Sequence, residues 1–151
     1  MKWIILLTFF VLAGCASVPS IQCSTEFKTH VYHPERLRTI QECKTVTGVV
    51  AAIKSEPDGD KHIQLRLDSG QEDLLNDRNK SVQKGCLVLE IICTKTPVQE
   101  DAIGPCSGFD NTIFIPAKGD HIKVTGSYIN DAEGNHGWNE IHPVTKIEML
   151  Q

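Results

Sequence analysis

The chain is poor in several things that would have announced a function. Aromatic residues make up 6% of it, and no apolar run reaches the roughly 20 residues a permanent bilayer-spanning helix requires. No glycine-rich phosphate loop precedes a helix, and Ser107 has no nucleophile elbow around it, which sets aside nucleotide hydrolysis and serine catalysis. Basic residues are outnumbered 15 to 19 by acidic ones. A surface that neutralises nucleic-acid phosphates is ordinarily basic, so overall charge disfavours that partner. There is no internal repeat and no low-complexity block.

What is present begins at the amino terminus. Lys2 is followed by an apolar stretch from Trp3 to Leu12, and then by Leu12-Ala13-Gly14-Cys15. This order of a positive start, a short apolar region and small residues before a cysteine resembles the signal of bacterial lipoproteins. The resemblance implies a signal peptide over residues 1–14, lipidation of Cys15 with diacylglyceryl and an amino-terminal acyl chain such as palmitate, and a tether over 15–20. Several acyl chains give a stable anchor at about 0.8 kcal/mol per buried methylene. Ala16 stands where an aspartate would resemble inner-membrane retention, which points to the outer membrane, facing the periplasm. Without Lys2 the remaining chain has 14 basic and 19 acidic residues, a formal charge of −5.

Of six cysteines, lipid on Cys15 leaves five, Cys23, Cys43, Cys86, Cys93 and Cys106, an odd number for an oxidising compartment. Read as one strand, Cys86 to Cys93 spans about 23 Å with its ends on opposite faces, so those two cannot bridge. The preferred pairs are Cys23–Cys43 and Cys93–Cys106, with Cys86 as the spare thiol.

Residues 21–151 suit one domain. The segment from Ile21 to Gln41 reads as an extended arm with a short strand at Arg36 to Ile40. Five further strand signals follow: Thr45 to Lys54 with Gly48 at a bend, the alternating Ile63-Leu65-Leu67 segment, Cys86 to Cys93, His121 to Ile129, and Trp138 to Met149. Glu56-Pro57-Asp58-Gly59-Asp60 reads as a hairpin turn. Polar residues 71–84 carry one helical turn at Glu72 to Asn76, and another covers Val98 to Ile103 at best. The fold class expected is therefore all-β, and the element order resembles the small five-stranded OB-fold barrel with its Greek-key path, stabilised by disulfides. The resemblance implies a ligand face on the second and third strands, flanked by the first and last hairpin loops. That face offers His62, Gln64 and Arg66 but no aromatic for base stacking, and both loops are net acidic, so nucleic acid stays disfavoured.

The densest local constellation is His136-Gly-Trp138-Asn-Glu140-Ile-His142-Pro143. Trp138, Glu140 and His142 share one face of a strand, with His136 in the turn before them. Two imidazoles and a carboxylate suit zinc or another divalent ion, which would make His136, Glu140 and His142 the centre of a metal-dependent hydrolase. The competing reading is structural: Trp138 covers a barrel end, Glu140 bonds loop backbone or pairs with Lys123 or Arg66, and His142 is a packed histidine. His30 and His33 read as solvent-facing, with a metal site shared with His121 as the alternative. Together with Gly119-Asp120-His121-Ile-Lys-Val124-Thr125-Gly126-Ser-Tyr128, the block resembles a group of uncharacterised bacterial secreted proteins and lipoproteins, which brings no activity with it. No cofactor is expected on the favoured reading: a non-enzymatic binding module, membrane-associated through Cys15, whose partner is an envelope protein or polymer.

Overall fold

The computed structural model describes residues 23–132 and 134–151; the signal, Cys15, the tether and Glu133 lie outside them. Five strands form the sheet: β1 Leu37–Ser55, β2 Lys61–Leu67, β3 Leu87–Ile91, β4 His121–Asp131 and β5 Asn139–Met149. The sheet is mixed. β1 pairs with β2 along its second half and with β4 from Leu37 to Val49, β2 with β3, and β4 with β5, all antiparallel, while β3 and β5 run parallel. The hydrogen-bonded order β1-β2-β3-β5-β4 returns to β1 and closes on itself.

A 19-residue strand can serve two neighbours only if it bends, and β1 does so near Gly48. A Cβ at Gly48 would stand 2.3 Å from the Arg66 carbonyl oxygen, so the crossing of β1 over β2 requires a residue without one. Further along, the β1–β2 register shifts between Val50 and Ala52. The short strand expected at Arg36 to Ile40 is thus the start of β1, and the arm before it is two 3-10 turns, Glu26–His30 and Pro34–Arg36, rather than an extended segment.

Period-two alternation in β2 sends Ile63, Leu65 and Leu67 inward, where they meet Leu87, Leu89 and Ile91 of β3. Val46, Val50, Ile122, Val124, Tyr128, Ile141 and Val144 complete this core. In β5, Val144 and Ile147 both reach the core although their parities differ. The reason is a bulge: Gly126 and Thr125, adjacent in β4, face Val144 and Lys146, two apart in β5. A second irregularity sets Gly126 and Tyr128, two apart, against Val144 and Ile141, three apart, and the His142–Pro143 peptide within it is cis.

Cys86 to Cys93 is not one strand. β3 ends at Ile91, and Cys93, at φ 52°, already lies in the following turn. The bridges are Cys23–Cys43 and Cys93–Cys106, and Cys86 is a free thiol, buried at 2% exposure. The second bridge joins a small separate cluster in which Val31, Ile92, Cys93 and Cys106 pack with Phe27, Leu37 and Phe109. Phe27 meets Phe109 edge-on at 5.2 Å, and His30 stacks on Phe109 at 4.3 Å. The amino-terminal arm is thereby fastened to the loop between β3 and β4.

That loop holds a 3-10 turn at Glu100–Ala102 and the short α2, Ile103–Cys106. Between β2 and β3 the expected turn at Glu72 to Asn76 is a 3-10 turn, Glu72–Leu74, followed by α1, Asp77–Ser81. Asn76 caps α1: its side chain accepts from the Arg78 and Asn79 amides, and Asn79 returns a bond to the Asn76 amide.

Candidate functional site

The outer faces of β2, β3 and β5 lie side by side, and register decides which side chains meet. His62 in β2 is directly opposite Glu90 in β3, and Val88 in β3 is opposite Glu140 in β5. His62, Gln64, Glu90 and Glu140 therefore line one surface. Beyond it the β1–β2 hairpin, the β4–β5 loop and the amino-terminal arm rise to enclose a cleft of about 700 Å³. The hairpin contributes Glu56, Pro57 and Asp58, the loop His136 and Trp138, and the arm Tyr32, His33 and Arg36.

Trp138, Glu140 and His142 share a face, as their spacing requires, and they bond one another. The Trp138 indole donates to Glu140 Oε2 at 2.9 Å, and His142 Nδ1 donates to Oε1 of the same carboxylate, also at 2.9 Å. Glu140 pairs with neither Lys123 nor Arg66; Lys123 instead meets Glu148 at 3.1 Å. Glu140 is 2% exposed and His142 4%, so this is a buried ion pair with an indole attached. Among the described residues His142 Nε2 has no hydrogen-bond partner.

Burial would drive the His142 pKa down, but the Glu140 bond and the charges of Glu140, Glu90 and Asp60 prevail and raise it to about 8. His62 behaves alike: burial opposes its charge, Glu90 at 3.1 Å and Glu140 favour it, and its pKa is raised. Burial holds Glu90 above the usual carboxylate range despite His62. Asp60 is raised to about 7, again chiefly by burial, although its carboxylate accepts from the Cys93 amide at 2.6 Å. The chain thus builds, from three strands and a hairpin, a mixed cluster in which Asp60, Glu140 and His142 are buried and His62 and Glu90 half-buried.

His136 does not join Glu140 and His142. Its Nδ1 donates to Asp131 at 2.5 Å, Arg36 approaches the same carboxylate at 3.6 Å, and its ring stacks on Trp138 at 4.4 Å. Among the described residues, one group places three potential ligand atoms within 4.8 Å of one another, Asp60, Cys93 and Cys106, and both of its sulfurs belong to the disulfide. His30, His33 and His121 are likewise dispersed: His30 Nδ1 meets the Pro105 carbonyl at 2.7 Å, His33 bonds Glu35, and His121 bonds Asp68.

Residues outside the sequence-derived site hold its loop in place. Asn79 donates to the Cys86 and Asn139 carbonyls and accepts from the Asn139 amide. Asn76 reaches Gly137 and Asn139, and Arg78 donates to the carbonyls of His136 and Asn135. Asn139 in turn donates to Leu74 and to the Tyr128 hydroxyl. The signal for this latch was the Asn-x-x-Asn spacing at 76 and 79, which announces a capped helix but not its distant partners. Comparison of the chain with protein-family models, with curated proteins and with solved structures finds no significant match.

Proposed function

We propose that this chain is a lipid-anchored lipoprotein of the bacterial envelope whose barrel, of the OB-fold type, is a non-enzymatic binding module using the cleft across β2, β3 and β5. The fold reading is supported by the strand order, by the parallel β3–β5 pair that joins the two ends of the path, and by the bent first strand. The anchor reading is supported by Leu12-Ala13-Gly14-Cys15 and by two disulfides with one free thiol among the remaining cysteines. Periplasmic placement suits such bridges. The observation that carries binding is the cleft itself. Its volume of about 700 Å³ is that of a small-molecule or short-polymer site, and separate elements converge on it with hydrogen-bonding side chains.

The test has two arms. Cys15→Ser should move the protein from the membrane fraction to the soluble periplasm. Photo-cross-linkers placed at residue 58 and at residue 136, on opposite walls, should capture the same envelope component, and one at exposed Val49 should not. Different products from the two walls would overturn the binding reading.

A further inference from the structure

The cleft lining carries more carboxylates than permanent cations, and imidazoles supply the remaining counter-charge. Five carboxylates line the cleft against two permanent cations. Those cations stand against acids of their own, Arg36 at Asp131 and Lys54 at Glu56. Asp58 accepts from the Asp60 amide, both Glu140 oxygens accept from Trp138 and His142, and Glu90 pairs with His62, with Lys54 near enough for their charges to interact. Glu90 has one oxygen near His62 Nδ1 and the other without a hydrogen-bond partner among the described residues, and its side chain keeps 13% exposure, so it is reachable from the cleft. Ala52 and Ile53 supply an apolar strip in the same cavity. Behind this wall lies His142, nine-tenths buried and more, whose Nε2 has no partner among the described residues, while His62 and Glu90 front the cavity side by side.

Resting on the binding reading above, we propose that the cleft selects a ligand carrying a primary alkylammonium, its head at Glu90 and its methylene stem along Ile53. A carboxylate in a partly desolvated wall gains more from a compact cation than an exposed one would. Anionic ligands meet the opposite field. Binding is proton-linked, because His62 and the ammonium compete for Glu90. The groups facing His62 are Lys54 from β1, Glu90 from β3, Glu140 and Trp138 from β5, and Gln83 from the segment after α1. Glu90 and Glu140 hold its proton, and an incoming cation expels it, so affinity rises with pH through the titration of His62.

The experiment is calorimetric titration of the full chain in detergent with cadaverine, with an acetyl-lysine amide, with pentanediol and with inorganic phosphate. Either amine should bind saturably and release protons, and the two amines distinguish a free diamine from a peptide-borne side chain as the source. Glu90→Gln should weaken amine binding about tenfold to a hundredfold, the scale of a charged hydrogen bond. Lys54→Gln should tighten it about twofold to fivefold. Asp58→Asn, which keeps the oxygen that accepts from the Asp60 amide, gives a second loss-of-charge variant if Glu90→Gln does not fold. Amine binding that is indifferent to both carboxylate changes overturns the proposal. So does a cleft that prefers phosphate or pentanediol, an outcome that would leave the binding reading standing.

Discussion

His142 Nδ1 lies 2.9 Å from Glu140 Oε1 with both side chains shut off from solvent, and no other pair in the described residues is so deeply buried with opposite ionisable character. Breaking it should be expensive. Glu140→Ala leaves an imidazole and an indole N–H without acceptors, and we expect a loss of about 3–5 kcal/mol in urea unfolding. A loss below about 1 kcal/mol, the range of an exposed pair, would show that the pair is not buried in solution.

Stability should fall as pH rises from about 4 to about 8. Asp60 keeps its proton in the folded chain up to about 7, against 3.8 when unfolded, so the folded state binds more protons over that interval and loses stability across it. His142, raised from 6.5 to about 8, adds stability that is complete below 6.5 and disappears as pH climbs through 8. Its share is about 2 kcal/mol, from roughly 1.4 kcal/mol per pKa unit. Asp60→Asn should flatten the lower part of the curve and, by removing one of the charges that raise His142, move the upper part toward lower pH. A profile that rises between pH 5 and 8 would contradict both assignments.

Reducing or removing the Cys93–Cys106 bridge, which closes a span of 13 residues, should cost about 3 kcal/mol. The double serine variant should lower the melting temperature. It should also release the arm first, since Val31, Phe27 and Phe109 pack on that bridge, and amide exchange over residues 26–36 would register this.

Gly48→Ala tests the bend in β1. A Cβ there meets backbone rather than a movable side chain, so one of the strands must shift, at about 1–3 kcal/mol. An unchanged melting temperature would mean that β1 crosses β2 less closely.

Elemental analysis of the purified chain should find no stoichiometric zinc, and none that depends on His142, because His136 turns to Asp131 and away from Glu140. One equivalent of metal lost in His142→Ala would restore the metal-hydrolase reading.

Much of the sheet was readable because period-two patterns are local. Ile63, Leu65 and Leu67 announce their face, and Gly48 and Gly59 mark a bend and a turn. The Trp138-Glu140-His142 face was readable for the same reason. Opposite facts hold for Glu90 and Asp60. Their importance comes from strand register and from a turn folding over the end of β3, and neither is written in the neighbouring residues. The reach of β3 was overestimated because apolar Ile92 and Cys93 continue the strand composition after the backbone has turned, into the second small cluster.

The latch from α1 gives the cleft a remote control. Asp77–Ser81 contributes no residue to the lining, yet Arg78 and Asn79, with Asn76 before them, fix the loop that carries His136 and Trp138. Changes on that short helix would thus reach the cleft as altered wall position, with the wall's own chemistry untouched. Selectivity could drift through residues that never meet a ligand.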